Sequence, residues 1–122
     1  MIAAILTDTV NVTRRTTNPS YDALNNPVYG SPDTWPLAYQ NVRVRLAWTG
    51  KAMEIKNTGE LIYPTATIYL PKNISVLAED RIITISCPGV AKGIEYVVEA
   101  VWPAYIMHGV VDHFEGSIHL PL

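Results

Sequence analysis

Residues 78–102 read AEDRIITISCPGVAKGIEYVVEAVW, and the alternation within this stretch decides the fold class. An acidic turn ends at Asp80 and Arg81, an apolar run covers 82–85, and Cys87-Pro88-Gly89 opens a turn that closes at Gly93. In the returning segment Ile94, Tyr96, Val98, Ala100 and Trp102 share one parity, while Glu95 and Glu99 share the other. A period of two with acids on one side marks a half-buried strand. The stretch is therefore a β-hairpin, one face in a core and the other turned to water or a partner.

The same alternation recurs outward from it. In residues 40–48, Val42, Val44, Leu46 and Trp48 form one row, and Asn41, Arg43, Arg45 and Ala47 the other. Two guanidinium groups then stand side by side, about 7 Å apart at a rise of ~3.3 Å per residue. Acids on an adjoining subunit would complement them, as would Glu95 and Glu99 by cross-strand pairing. Residues 8–15 place Val10 and Val12 inward and end at Arg14-Arg15, a pair that reads as a solvated rim, an inter-subunit salt bridge or a phosphate contact. Residues 64–70 put Ala66, Ile68 and Leu70 on one face, and Pro71 stops that strand. After Trp102-Pro103, residues 104–111 read as an apolar connection pivoting on Gly109. In 112–120, Phe114, Ile118 and Leu120 point inward, while His113, Glu115, Ser117 and His119 point outward.

Two long segments interrupt the strands. Residues 16–38 hold Pro19, Pro27, Pro32, Pro36 and Gly30, which make regular structure improbable there. A structureless loop longer than about 15 residues is uncommon in a small domain and is often functional. Tyr21, Tyr29, Trp35 and Tyr39 give it an aromatic load that suits contact with its own barrel, with a neighbouring subunit, or with a carbohydrate or peptide. Without basic residues to track a backbone, it does not read as a single-strand nucleic-acid platform. Residues 49–63 carry Lys51, Met53, Glu54, Lys56 and Glu60 between Gly50 and Gly59, a mixed polarity at home in water or against another loop.

At 122 residues the chain is sized for one domain, spanning 1–122, with one core. A hydrophobic content of 48% and a charged content of 16% exclude global disorder. Net charge −2 argues against binding nucleic acid by neutralising phosphates. The acidic excess sits in residues 61–122, where three Lys/Arg face six Asp/Glu. Cys87, the single cysteine, cannot form an internal disulfide and reads as a small apolar turn residue in a chain suited to a reducing cytoplasm. The apolar start, residues 1–6, has no basic leader and is too short to span a membrane, so an intracellular, soluble product is expected.

Motifs for chemistry are missing: no glycine-rich phosphate loop, no Gly-x-Ser-x-Gly elbow, no Cys-x-x-Cys and no His-Glu-x-x-His occurs. The carboxylates mostly flank turns, where a low-dielectric setting is not expected. His113, Glu115 and His119 share a strand face and are all zinc-ligand types, with His108 as a distant fourth. His113 and His119 would nevertheless lie about 20 Å apart on a straight strand. No enzyme activity, cofactor or metal is expected.

Strand runs separated by turn residues, with no 3.6-residue period, give an all-β architecture: a small barrel or sandwich of about six strands with two long loops. On Asp80, Arg81, Ile82, Gly93, Tyr96, Val98, Val101, His113, Phe114 and Glu115, with looser matches at Val10, Val12 and residues 66–71, the chain resembles the head-completion proteins of long-tailed phages, also called head-tail connectors or stoppers. The resemblance implies a virion protein of the neck, assembled in the host cytoplasm as a ring of six or twelve copies below the portal. Such a ring closes the DNA channel without sequence-specific DNA binding and offers a docking surface to the tail. Its implied partners are the portal or an adaptor, the tail terminator or tail tube protein, and sister copies. A loop between early strands enters the channel in that family, and by position 49–63 is the candidate. Arg14, Arg15, Tyr21, Tyr29, Trp35, Arg43, Arg45, His113 and Glu115 are the candidate subunit or partner contacts. A monomeric carbohydrate- or peptide-binding module using the aromatic loop remains the alternative.

Overall fold

The computed structural model describes residues 6–16, 20, 21, 23–25, 27, 28, 35–56, 58–107 and 109–121, with 20, 21, 27 and 28 described by backbone alone. These residues form ten strands and no helix: β1 (Asp8–Thr13), β2 (Ser20–Tyr21), β3 (Pro27–Val28), β4 (Leu37–Thr49), β5 (Met53–Glu54), β6 (Leu61–Ile62), β7 (Thr65–Pro71), β8 (Arg81–Ser86), β9 (Glu95–Met107) and β10 (Val110–His119). Six of them close a barrel in the order β1-β4-β7-β10-β9-β8, with antiparallel neighbours throughout. Of the small all-β barrel or sandwich expected from the alternation, the closed barrel is the fold found.

The stagger of this barrel shapes everything outside it. A row of opposed residues starts at Thr49 on β4 and passes Thr65, His119, Val97, Arg81 and Thr13, returning to β4 at Leu37. It has slipped twelve residues in one circuit, from 49 to 37, so the strands are tilted steeply to the barrel axis. This is why β4 must be thirteen residues long. Its second half pairs with β7 and its first half with β1, and among the described residues no strand pairs with the opposite edge of either half.

Inward rows follow the predicted parity: Val10 and Val12, then Val42, Val44 and Leu46, then Ala66, Ile68 and Leu70, then Ile82, Tyr96, Val98 and Ile118, all buried. Each large member contributes about 1.5–3 kcal/mol through its removal from water. Cys87 belongs to the same core. Thr84, fully buried, is satisfied locally: its hydroxyl donates to the Ala91 carbonyl at 2.8 Å and accepts from the Ile94 N–H at 2.9 Å, tying the 87–93 turn to β8.

Three expectations need correction. The inward row of the return strand holds at Tyr96 and Val98 but reverses beyond them, because Ala100 opposes Ser117 while Val98 opposes Ile118, leaving Glu99 as an extra residue. Such a bulge exchanges the two faces. Val101 therefore packs on the core, and Ala100 and Trp102 are exposed. Second, residues 104–107 continue β9 past Pro103 and β10 begins at Val110, so the expected connection is the end of a long hairpin. Third, residues 16–38 are not without regular structure, since β2 and β3 pair through Ser20–Val28 and Tyr21–Pro27, and β4 already begins at Leu37.

Candidate functional site

Besides the β2–β3 pair, two hairpins leave the closed barrel. The first is built in residues 50–63 from β5 and β6, with Met53 opposite Ile62 and Glu54 opposite Leu61. An aromatic stack clamps its base: Trp48 lies 5.5 Å from both Tyr63 and Tyr96, and the Tyr96 hydroxyl donates to the Tyr63 carbonyl at 2.7 Å. Gly50 starts the excursion at φ 84, a conformation that favours glycine, with Pro64 so close that a Cβ would meet its ring at 2.6 Å. The returning arm is latched at Leu61, whose N–H donates to the Gly89 carbonyl and whose carbonyl accepts from the Ala91 N–H, both at 3.1 Å. Lys51, Met53, Glu54, Lys56 and Gly59 are exposed, and Glu60 is half-buried. The candidate channel segment is thus a hairpin held at its base and at one arm, with its charged and apolar tip in solvent.

The second hairpin was not singled out from the sequence. β9 pairs with β8 only at Glu95, Tyr96 and Val97, and β10 pairs with β7 only from His113 onward. Val98 still bonds through its backbone to Glu79 and Asp80, and beyond it no other described strand pairs with β9, nor with β10 before His113, so the two run on as a two-stranded ribbon. Tyr105 is 59% exposed, Ile106 63% and Met107 64%, with Val110 and Trp102 also largely exposed. No Asp, Glu, Lys or Arg occurs between 100 and 111. This uncharged run was the available signal, and Pro103 hid it by suggesting a strand end. The start of β10 at Val110 is nine residues from His119, in the row where the first hairpin leaves the barrel, about 30 Å along the strand.

At the root of the ribbon the Trp102 indole N–H donates to Glu115 at 3.1 Å. The other oxygen of Glu115 faces His113 Nε2 at 3.4 Å, while His113 Nδ1 meets Asp112 at 2.8 Å and its ring leans on Tyr69. His113 and Glu115 are thus half-buried and occupied within the chain rather than displayed. His119 turns its Nδ1 to the Leu120 carbonyl, and among the described residues no group of three metal-ligating side chains converges. His108 lies outside the described residues.

The remaining candidates divide sharply. Arg14 is engaged internally by Asp80, whose carboxylate is almost fully buried. That burial corrects the expectation that carboxylates stay at solvated turns, as does Asp8, which is buried and accepts from the Leu46 N–H at 2.8 Å. Arg15 is exposed. Trp35 lies under the Arg81 guanidinium, 4.2 Å from ring centre to carbon, and Arg81 also pairs with Glu95. Glu95 is therefore taken, and the proposed pairing of Glu95 and Glu99 with Arg43 and Arg45 does not occur: Arg43 opposes Thr9 and Arg45 opposes Tyr69. Both arginines are exposed, and among the described residues neither makes an ion pair. Tyr39 packs on the core and accepts the Ser75 N–H at 3.1 Å. Tyr29 and the side chain of Tyr21 lie outside the described residues.

Below Tyr39, where β4 parts from β7, a cleft of about 530 Å³ opens among Tyr39, Val42, Arg43, Pro71 and Ile74. Among the described residues no carboxylate, histidine or cysteine lines it. Burial pushes the Cys87 thiol up to about 11, with Asp8 adding to the shift, so the one cysteine is a protonated core residue at neutral pH.

No known protein family matches the chain by sequence, and no curated protein sequence matches it. Its fold is shared with the protein xkdH of the phage-like element PBSX from Bacillus subtilis, at 15% identity and a TM-score of 0.58 over 93% of this chain and 92% of that one. It is shared equally with protein SF1141 from Shigella flexneri 2a, at 15% identity and a TM-score of 0.60 over 94% and 92%.

Proposed function

We propose that this chain is a phage virion structural protein of the head-tail connector or stopper type. In this reading it assembles as a ring beneath the portal after DNA packaging, closes the channel and presents a docking surface to the tail. One observation carries the reading: a closed barrel, in a fold shared along nearly the whole chain with a protein of a phage-like element, sends out, besides β2–β3, two hairpins that carry exposed apolar side chains. A molecule built to assemble needs a stable body and projecting elements able to meet different neighbours. The 50–63 hairpin, tethered through Leu61 to a turn, is the channel element, and the ribbon is a docking element. Function lies in assembly, not turnover, and DNA is enclosed rather than gripped, in keeping with the net charge of −2.

Mixing the purified chain with its cognate portal complexes tests the reading. Co-sedimentation with the portal, and retention of packaged DNA by the completed heads, is the expected result. Failure to co-sediment, combined with retention on a glycan or peptide array, would replace it with the binding-module reading.

A further inference from the structure

We propose that the arginine pair Arg43 and Arg45 of one copy docks against the acid pair Glu79 and Glu99 of the next, so that sister copies meet flank to flank. The inference rests on the ring-forming reading above and names the residues by which one copy holds the next.

The barrel is electrically two-sided. Its strand order splits into two contiguous arcs, β1-β4-β7 and β10-β9-β8. Residues 8–15, 37–49 and 65–72, which carry the first arc, hold five Lys/Arg against one Asp. Residues 79–119, which carry the second, hold two Lys/Arg against six Asp/Glu. Part of this charge is consumed internally, by Arg14 with Asp80 and by Arg81 with Glu95. Arg43 and Arg45 remain exposed on the first arc and Glu79 and Glu99 on the second, and none of the four makes an ion pair with another described residue. The two acids are neighbours, since the Glu79 N–H donates at 2.8 Å to the carbonyl of Val98, the residue before Glu99.

Topology sets the two pairs back to back. β4 and β9 are three strands apart by either route around the barrel. Opposed residues lead from Arg45 through Tyr69 and Glu115 to Trp102, half a circuit away. Half of the twelve-residue slip, taken back along β9 from there, puts the level of Arg45 near Tyr96 and that of Arg43 near Val98. Glu99 therefore sits across the barrel at about the height of the arginines.

A second copy is the occupant this arrangement selects, because the charge that complements each flank is carried by the same chain on the opposite one. The two surfaces differ, so the contact is heterologous. With both at one height and the barrel axes parallel it adds no climb from copy to copy, which closes a ring instead of winding a filament. Exposed ion pairs are weak singly, so the role of these is to set register and orientation between copies.

The test uses the full chain with Arg43→Lys and Arg45→Lys, which keeps both charges and supplies amines for a zero-length carbodiimide link to carboxylates. Because the two pairs lie on opposite sides of one barrel, a link between them joins two copies. Expected at high concentration and low salt are links from position 43 or 45 to Glu79 or Glu99, fading as salt is raised. Arg43→Glu with Arg45→Glu should lower self-association about tenfold, and adding Glu79→Lys and Glu99→Lys to the same chain should restore it, with the melting temperature unchanged throughout. Links to other carboxylates only, no inter-copy link at all, a quadruple variant that stays dissociated, or loss of the links to added duplex DNA would overturn the proposal. A chain that binds portal without these links keeps the connector reading and loses the flank contact. A chain that gives the links but ignores the portal does the reverse.

Discussion

Arg14 and Asp80, 66 residues apart in sequence, meet in a two-pronged ion pair: Nε to Oδ1 at 3.1 Å and Nη2 to Oδ2 at 2.8 Å. The same carboxylate accepts the Leu77 N–H, and the same guanidinium donates to the Ser75 carbonyl, so one pair ties the end of β1 to the crossover and to the start of β8. The hydrogen bond that Arg14 donates to Asp80 is the main reason the Arg14 pKa is raised. Asp80→Ala leaves a guanidinium and a backbone N–H without their acceptor and should cost about 2–4 kcal/mol of stability. Arg14→Lys keeps the charge but loses the fork, and should cost about 1 kcal/mol. Urea titration of both variants checks the ordering.

Alkali should unfold the protein over a definable window. The Cys87 thiol is raised from 9.0 to about 11 and the Tyr96 hydroxyl from 10.0 to about 12, each chiefly by burial. Below pH 9 both groups are protonated in folded and unfolded chains alike, and their contribution is intact. Above it the unfolded chain releases its protons first, so stability falls as pH rises through 9–12. Melting temperatures should decline across that range, with a shallower decline in a Cys87→Ala, Tyr96→Phe variant relative to its own value at neutral pH. Thiol reagents should label Cys87 slowly when folded and rapidly in denaturant.

Gly116 is fixed by closeness rather than by an unusual turn. A Cβ there would lie 2.8 Å from the Ala100 carbonyl oxygen and 3.2 Å from Ile68 Cγ2, and a backbone oxygen in a paired strand cannot step aside. Gly116→Ala should destabilise by about 1–3 kcal/mol. Differential scanning calorimetry would show the loss.

The exposed side of the 50–63 hairpin can be altered without touching the barrel. Met53 is 57% exposed, so Met53→Asp should change stability by less than about 0.5 kcal/mol. In the connector reading the same variant should bind portal normally yet leave filled heads that leak DNA. Unimpaired DNA retention would remove this hairpin from the channel.

The barrel was legible because its strands are half-buried: Val42, Val44 and Leu46 alternate with Asn41, Arg43 and Arg45, and burial follows the alternation. What escaped was set by geometry that period two does not encode. The bulge at Glu99 leaves no mark on the alternation itself, since Ala100 is tolerated on either face. The ribbon escaped because nothing buries it, so it has no polar face to contrast with its apolar one, and Pro103 reads as a stop. Pairings such as Arg81 with Glu95 and Trp35, or Arg14 with Asp80, depend on barrel stagger and could not be assigned from spacing alone.

The surplus residue at Glu99 has a consequence for the whole second half of the hairpin. It works as a handedness selector: with it, Trp102 is turned outward to meet Glu115 and Val101 inward to cap the core. Deleting that single position would drive an indole into the interior and expel a valine, exchanging the finger's inner and outer linings without altering any other side chain.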